Sequence, residues 1–156
     1  MSQLKGYRLV KRKWHRNAFD GEGARWYGGR WNSKGRACVY LASSESLAML
    51  EIMVHLEDYR LLETYALIEV TFAESALMHL PNDQLPADWQ AEPAPYSTAA
   101  IGDSWLESQS RLALAVPSVV VPRERNYLVN PRHTGFEAMI SDAKDIAFAP
   151  DKRLSE

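Results

Sequence analysis

A run rich in glycine, tryptophan and arginine near the N-terminus constrains this chain more than any other feature. Residues 21–35 hold five of the eight glycines, and the run begins Gly21-Glu22-Gly23-Ala24-Arg25-Trp26-Tyr27-Gly28-Gly29-Arg30-Trp31-Asn32. Glycine lets the backbone adopt positive φ angles and approach a ligand closely, while indole rings and guanidinium groups offer stacking faces and paired donors. The run predicts neither a regular helix nor a regular strand. It indicates a site for an anionic, aromatic ligand, and a nucleotide fits that description best.

The length and overall charge narrow the class of protein. With 156 residues, of which 46% are hydrophobic, the chain is long enough to bury a sizeable core, and residues 1–156 are predicted to form one domain. The formal net charge is -2 and the isoelectric point is near 6.1. A dedicated nucleic-acid binder normally carries a basic stripe and a higher isoelectric point, so this class is disfavoured.

The charges are distributed unevenly along the chain. Ten of the 18 Lys and Arg residues precede Ala37, whereas residues 61–110 contain no Lys or Arg and eight Asp or Glu residues. An anionic small molecule would be attracted to the first region, and a basic partner protein could use the second. Two solvated faces of opposite sign are the alternative interpretation.

Cysteine, histidine and hydropathy patterns bear on location and cofactors. The single cysteine, Cys38, cannot form an internal disulfide, which favours a reducing compartment. No apolar run in the sequence is long enough to span a membrane, so we expect a cytoplasmic protein with no membrane partner. The histidines at positions 15, 55, 79 and 133 have no metal-ligand spacing to one another or to Cys38, so no metal site is expected.

Hydrophobic patterns predict a mixture of strands and helices. Ala66, Ile68, Val70 and Phe72 alternate with more polar positions, which is typical of a strand with one buried face. Ser44 before an apolar run marks the start of a helix. The predicted strands are residues 6–10, 37–42, 63–72, 116–122, 126–131 and 146–148, the predicted helices are residues 45–57 and 98–113, and residues 80–96 are predicted to be irregular. Because strands do not simply alternate with helices, a mixed α and β domain is expected.

Glu51 is the sharpest single signal of a site. It is the only charged residue between Ser46 and Val54, and apolar side chains cover nearly all the rest of the predicted helix. A carboxylate directed toward the interior costs several kcal/mol unless it is paired or hydrogen-bonded. Glu51 therefore requires either a partner within the fold, such as an arginine of the glycine-rich run, or a ligand.

Four further residues combine a reactive or polar group with an unusual position. Arg30 follows two glycines, and its planar fork matches a phosphate or a carboxylate. Arg8 lies on a predicted interior strand, where an arginine is uncommon unless it is paired. Tyr40 and Ser118 also have simpler interpretations, namely a core tyrosine with a satisfied hydroxyl and a serine bonded to the backbone.

Several widespread motifs are missing from the sequence. It contains no Gly-x-Ser-x-Gly elbow and no phosphate-binding Gly-x-x-x-x-Gly-Lys loop. It also lacks a Gly-x-Gly-x-x-Gly turn between a strand and a helix, which disfavours hydride transfer on a dinucleotide fold.

The motifs that are present resemble the RES domain family, the toxin half of bacterial toxin–antitoxin pairs. The most specific combination is Gly28-Gly29-Arg30-Trp31-Asn32, with Tyr40 ten residues after the arginine and Glu51 eleven residues further on. The other matching pieces, in order, are Tyr7-Arg8, Gly21-Glu22-Gly23-Ala24, Val39-Tyr40, Leu47-Ala48-Met49-Leu50-Glu51, Val116-Pro117-Ser118 and Asn126-Tyr127-Leu128-Val129-Asn130-Pro131. Together they span most of the chain.

This resemblance implies an α+β fold of the ADP-ribosyltransferase type, with a mixed sheet and flanking helices. It implies that the chain binds NAD+ as a substrate and breaks its nicotinamide–ribose bond, with inorganic phosphate or water as acceptor. Transfer of ADP-ribose to a protein target is the alternative activity. The implied site consists of Arg8, Arg30, Tyr40, Glu51 and Ser118, without a metal.

The resemblance also suggests a role for each of these residues. Glu51 would stabilise an oxocarbenium-like ribose and hold a ribose hydroxyl, as carboxylates do in glycoside hydrolysis. Arg30 and Arg8 would clamp the pyrophosphate or an incoming phosphate, Tyr40 would pack against nicotinamide or ribose, and Ser118 would hydrogen-bond nearby.

The implied partner is an Xre-like antitoxin with a helix-turn-helix domain that occludes the active site. DNA would be contacted only indirectly, through that antitoxin. A catalytically inactive module that holds the antitoxin is the alternative outside the enzymes. Trp31 and Asn130 are placed either in contact with the ligand or in support of the loop, and the sequence leaves both open.

Overall fold

The computed structural model describes residues 2–156. Its strands and helices, in chain order, are β1 (Gln3–Lys11), α1 (Glu22–Tyr27), β2 (Val39–Ala42), α2 (Glu45–Met53), β3 (Tyr65–Ala73), β4 (Leu77–His79), α3 (Tyr96–Ser108), β5 (Ala113–Pro117), β6 (Arg125–Val129), α4 (Phe136–Ser141) and β7 (Lys144–Ile146). Short 3-10 turns at Arg12–Asn17, Tyr59–Thr64, Glu74–Ala76, Asn82–Gln84 and Lys152–Leu154 lie between or after them.

The seven strands form one mixed sheet in the order β4-β5-β6-β2-β1-β3-β7. Strands β4 and β5 are parallel, and the other neighbours are antiparallel. Strands β1 and β3 pair along their whole length, from Gln3↔Ala73 to Lys11↔Tyr65. In contrast, β1 and β2 pair only at Tyr7↔Ala42, so the sheet is held by a single residue pair at its centre.

Side chains on the two faces of the sheet form separate parts of the core. Alternate residues such as Val70, Phe72 and Tyr127 pack with α4 on one face, and the Phe72 and Tyr127 rings meet edge to face at 5.5 Å. The residues between them face α2 and α3, which cover the other face through Leu47 and Trp105. The period-two alternation of the strands therefore places α4 opposite α2 and α3.

The structure confirms the predicted α+β organisation and most of the elements. Each predicted strand overlaps an observed one, and the predicted helices overlap α2 and α3. The predicted helix at 45–57 is too long, because α2 ends at Met53. Residues 63 and 64 belong to a 3-10 turn before β3, and β4 and α4 are elements that the sequence patterns did not reveal.

The interpretation of the glycine-rich run as free of regular structure is wrong for its first half, which forms α1. Gly21 and Gly28 take φ angles of 70° and 72° and bound this short helix. Asp20 caps its start by accepting the N–H of Glu22 at 2.9 Å, and the Gly28 N–H donates to the Ala24 carbonyl at 2.8 Å. Gly21 and Gly28 therefore delimit a short helix.

The assignment of Leu112 and Ala113 to a helix is also wrong. Helix α3 ends at Ser108, and Gln109 adopts a left-handed conformation with φ of 51°. Ala113 is the first residue of β5, which lies between β4 and β6. Pairing with two neighbouring strands outweighs the helical spacing of the apolar residues here.

Replacement of Leu47 by alanine tests how much the core depends on α2. The Leu47 side chain is 0% exposed, whereas Leu50 on the same helix is 41% exposed. Leu47→Ala is expected to lower the free energy of unfolding by about 2–5 kcal/mol, and the control Leu50→Ala by under about 1 kcal/mol. Urea unfolding followed by circular dichroism measures both values. Equal losses would contradict the assignment of α2 to the core.

Candidate active site

A cleft of about 2020 Å³ lies beside the point where β1 and β2 separate. It is larger than the roughly 300–1,000 Å³ of common ligand pockets, so an extended ligand such as a dinucleotide has room in it. Its walls are formed by β1, by the glycine-rich run at residues 21–35 (the glycine-rich segment), by β2, by α2 and by residues 92–96. Arg8, Arg30, Tyr40 and Glu51 all line it.

Glu51 is held in the cleft by two neutral donors. Its Oε2 accepts a hydrogen bond of 2.7 Å from the Ser118 hydroxyl and another from Nδ2 of Asn126. Within residues 2–156, Oε1 has no hydrogen-bond partner, and no basic side chain forms an ion pair with Glu51. The alternative of an ion pair with an arginine of the glycine-rich run is therefore not what the structure shows.

Ser118 supports Glu51 from inside the protein. Its side chain is fully buried, and its oxygen accepts the backbone N–H groups of Val120 and Val121, both at 3.0 Å. This confirms that the hydroxyl is bonded to the backbone, but its own proton goes to Glu51. The turn after β5 thus orients the serine so that it can only donate toward the cleft carboxylate.

Arg8 bridges the gap between β1 and β2. Its Nε donates to the Ala18 carbonyl at 2.5 Å, and its Nη1 donates to the Tyr40 carbonyl at 3.0 Å. No carboxylate of the described residues pairs with it. Burial is the largest influence on the pKa of Arg8 and lowers it, yet a guanidinium stays charged in proteins. Arg8 therefore presents a charged group with unused N–H donors to the cleft.

Arg30 is engaged by the opposite wall. Its Nη1 donates to the carbonyls of Trp89 and Ala91 at 2.9 and 2.8 Å, and its Nη2 is paired with the Glu92 carboxylate. The Arg30 side chain is 13% exposed and that of Glu92 is 70% exposed. In this state Arg30 fastens the segment after the 3-10 turn at Asn82–Gln84 to the glycine-rich segment.

Tyr40 fixes the backbone of the glycine-rich segment. Its hydroxyl donates to Oδ1 of Asn32 at 2.5 Å and accepts the backbone N–H of Trp31 at 3.1 Å. Burial raises the pKa of this hydroxyl well above its usual value, so it remains protonated and can donate. Asn32 in turn donates to the carbonyls of Ala24 and Arg36, which ties both ends of the segment together.

Trp31 and Asn130, which the sequence placed either at the ligand or in support of the loop, lie in different parts of the structure. Trp31 lines the cleft with its small exposed part, although it is otherwise packed in the core. Asn130 lies away from the cleft, where its Nδ2 donates to the Leu106 carbonyl at 2.9 Å and its Oδ1 accepts the Arg132 N–H. Asn130 therefore supports the turn after β6.

Asn126 is a site residue that the sequence reasoning did not single out. It stands on β6 opposite Ala42 of β2 and Val116 of β5, and it lines the cleft beside Glu51. The available signal was an amide residue directly before the apolar residues 127–129 of the predicted strand. Its partner Glu51 is 75 residues away in sequence, so only the sheet register brings them together.

Neither a metal-binding cluster of side chains nor a membrane-spanning helix is found among residues 2–156. Among residues 2–156, no group of three or more His, Cys, Asp or Glu side chains is arranged to hold a metal ion. No helix in the same range is both long and apolar enough to cross a membrane.

Comparison with known proteins identifies the family. The sequence model of the RES domain matches residues 5–151. This chain belongs to the RES domain family. A protein named Toxin Res from Yersinia enterocolitica serotype O:8 / biotype 1B is 47% identical over 148 residues, which cover 95% of this chain and 97% of the relative. A Prs ADP-ribosylating toxin from Sphingobium sp. is 42% identical over 126 residues, 78% of each chain.

A solved structure shares the fold of this RES domain. One chain of the crystal structure of the M. tuberculosis MbcT-MbcA toxin-antitoxin complex matches it with a TM-score of 0.70 at 23% identity. The match covers 94% of this chain and 85% of that chain. The likeness agrees with the α+β fold expected of a RES domain.

The buried cysteine of this RES domain, Cys38, provides a test of how tightly the cleft wall is packed. Burial raises the pKa of the Cys38 thiol to about 12. The thiolate is the reactive form, so folded protein is expected not to react with a thiol-specific disulfide reagent at about pH 8.5, whereas urea-unfolded protein should react fully. Stability should also fall as the pH rises through the pKa of the unfolded thiol, because the unfolded chain loses that proton first. Rapid labelling of the folded protein would show that Cys38 is accessible.

Proposed function

We propose that this RES domain chain is the toxin of a toxin–antitoxin pair and that it degrades NAD+ by breaking the nicotinamide–ribose bond. The observation that carries the proposal is the Glu51 carboxylate, which lies in the large cleft with one oxygen fixed by Ser118 and Asn126 and the other free. A fixed negative charge without a cationic partner is suited to stabilise positive charge that develops on a bound substrate.

The proposed chemistry uses this charge directly. The bond between C1′ of the ribose and the nicotinamide nitrogen breaks, and its electron pair goes to the nitrogen, so nicotinamide leaves as a neutral molecule. The ribose acquires oxocarbenium character, which Glu51 stabilises through its free Oε1 while that atom accepts a ribose hydroxyl. Phosphate or water then forms a bond to C1′, and when water is the acceptor its extra proton passes to the solvent. The departure of a neutral leaving group requires no general acid.

Arg8 is the first proposed ligand of the pyrophosphate, and Arg30 is the second. Arg8 has unused N–H groups and no carboxylate partner, whereas Arg30 already has three acceptors. Two of those acceptors are backbone carbonyls, and the third is the exposed Glu92 side chain. We infer that a phosphate takes the place of Glu92 at Nη2 of Arg30, while the carbonyl contacts stay. Tyr40 then packs near the nicotinamide or ribose.

Transfer of ADP-ribose to a protein is the second candidate activity. It is favoured by the Sphingobium relative, whose name describes it as a Prs ADP-ribosylating toxin. The same site would serve, because the bond that breaks and the charge that develops are the same. The two activities differ in the acceptor that forms the new bond to C1′.

The proposed partner is an Xre-like antitoxin that covers the cleft, and DNA would be reached only through it. The solved toxin-antitoxin complex with the same fold supports an antitoxin partner. Exposed apolar side chains at the cleft, among them Tyr27, Val54 and Tyr96, provide a surface for such a contact. Because the substrate would be the cell's own NAD+, the proposal places the chain in the cytoplasm.

The substitution Glu51→Gln tests the proposed activity. The glutamine carbonyl can accept both bonds from Ser118 and Asn126, but its amide then replaces Oε1 with a donor, so the fold is kept and the charge is lost. Release of nicotinamide from NAD+, followed by NMR, is expected to fall by roughly 10²–10³-fold. The matched control is Glu57→Gln, an exposed residue beyond α2 that should leave the rate unchanged.

The same NMR assay with and without phosphate identifies the acceptor. Release that accelerates with phosphate and gives a phosphorylated ADP-ribose indicates a phosphorylase, and release independent of phosphate indicates hydrolysis. If folded wild-type protein releases no nicotinamide, the degradation of NAD+ is ruled out and the transferase or the inactive module is favoured. A Glu51→Gln variant with wild-type turnover would contradict the assigned mechanism.

The substitution Arg30→Lys tests the wall of the cleft. A lysine ammonium cannot reproduce the planar fork that reaches two carbonyls and an acidic group at once. Hydrogen bonds to charged groups are worth about 1.5–3 kcal/mol, so the KM for NAD+ is expected to rise about tenfold or more. Arg36→Lys, which alters an exposed pair with Glu107, serves as the control. Unchanged NAD+ kinetics in Arg30→Lys would remove Arg30 from the proposed site.

A further inference from the structure

Helix α3 lies against the backbone of residues 30–33, the part of the glycine-rich segment that carries Arg30. Three residues of the helix make this contact, and they bind consecutive parts of the segment: Thr98 contacts the Arg30 carbonyl, Gly102 the Trp31 carbonyl, and Asp103 the Ser33 N–H. The sequence motifs of the segment include none of these helix residues.

Thr98 donates its hydroxyl proton from a fully buried position. Its side chain is 0% exposed, and its hydroxyl lies 2.6 Å from the Arg30 carbonyl and 3.2 Å from the Pro95 carbonyl. A hydroxyl has one proton to donate, and the shorter contact is the one to Arg30. Loss of this donor would leave a buried carbonyl without its partner, which is costly.

Gly102 allows the helix and the segment to approach each other. A Cβ atom built on Gly102 would lie 1.6 Å from the Trp31 carbonyl oxygen, where ordinary van der Waals contact begins at 3.4 Å. Backbone atoms cannot rotate away as a side chain can. Any side chain at position 102 would therefore push α3 and the segment apart.

The contacts of α3 meet those of Tyr40 on the same short stretch of backbone. Asp103 accepts the Ser33 N–H at 2.9 Å, and the Tyr40 hydroxyl accepts the Trp31 N–H at 3.1 Å. From this fixed backbone, the Arg30 side chain reaches the carbonyls of Trp89 and Ala91 on the facing wall. The position of α3 is in this way coupled to two walls of the cleft.

We propose that Thr98, Gly102 and Asp103 are positioning residues for NAD+ binding, because they fix the backbone from which Arg30 reaches across the cleft. They act through the glycine-rich segment and need no contact with the substrate. The proposal rests on the function proposed above, in which the cleft holds NAD+. It predicts that conservative substitutions at these positions of α3 weaken the binding of NAD+ more than they slow the chemical step.

The test compares Thr98→Val with Thr98→Ser. Valine keeps the shape and removes the hydroxyl, so the KM for NAD+ is expected to rise about tenfold, while kcat at saturating NAD+ stays nearly unchanged. Serine restores the donor and should return the KM to the wild-type value. Ser104→Ala, an exposed change on the same helix, is the control. Gly102→Ala should weaken binding further, and Thr98→Val remains informative if that variant does not fold.

Titration calorimetry with ADP-ribose measures the binding affinity of each variant independently of its turnover of NAD+. Weaker ADP-ribose binding by Thr98→Val, with thermal unfolding close to wild type and rescue by serine, supports the proposal. Unchanged binding, or a fall in kcat that follows the loss of folded protein and is not rescued by serine, overturns it. If the wild type binds ADP-ribose but does not cleave NAD+, the catalytic proposal fails and the positioning role stands or falls on binding alone. If it does neither, both proposals fail.

Discussion

The cleft lies where β1 and β2 separate after a single residue pair, and the Arg8 guanidinium bridges the gap between the two strands. From β1 it donates to the Tyr40 carbonyl of β2 and to the Ala18 carbonyl of the connecting segment. Buried backbone carbonyls need donors, and a side chain that supplies them allows two strands to diverge without losing hydrogen bonds. The glycine-rich segment and the cleft depend on this divergence.

Two uncompensated charges follow from this arrangement. Arg8 lies in the cleft without a carboxylate, and Glu51 lies in the same cleft without a cation. A structure selected for stability alone would pair such groups or replace them, because each carries a desolvation cost. The substrate proposed above would account for their separation, because it carries both signs of charge. In that proposal, Arg8 binds the pyrophosphate of NAD+, and Glu51 faces the positive charge that passes from the nicotinamide ring to the ribose as the bond breaks.

Sequence reasoning located cleft residues where a side chain is unusual in its own local pattern. Glu51 stood alone in an apolar helix and Arg30 followed two glycines, and both line the cleft. It failed where the meaning of a residue depends on a distant partner. Asn126 acquires its place beside Glu51 from the register of β2, β5 and β6, and the proposed role of Thr98 depends on the packing of α3 against a segment 68 residues earlier. The helical pattern of residues 112–113 failed for a similar reason, since strand pairing decided their conformation.

The identity of the groups around Glu51 explains how one carboxylate can be both stable and useful. A hydroxyl and an amide stabilise its charge through hydrogen bonds, but they bring no opposite charge with them. An arginine or lysine in their place would stabilise the carboxylate more strongly and cancel its field at short range. Neutral donors on Oε2 leave the negative charge at Oε1 uncancelled and facing the cleft. A positive charge that develops there would be stabilised by it. The pairing of Glu51 with Ser118 and Asn126 therefore fixes the carboxylate and preserves its charge, which is what the proposed reaction requires of it.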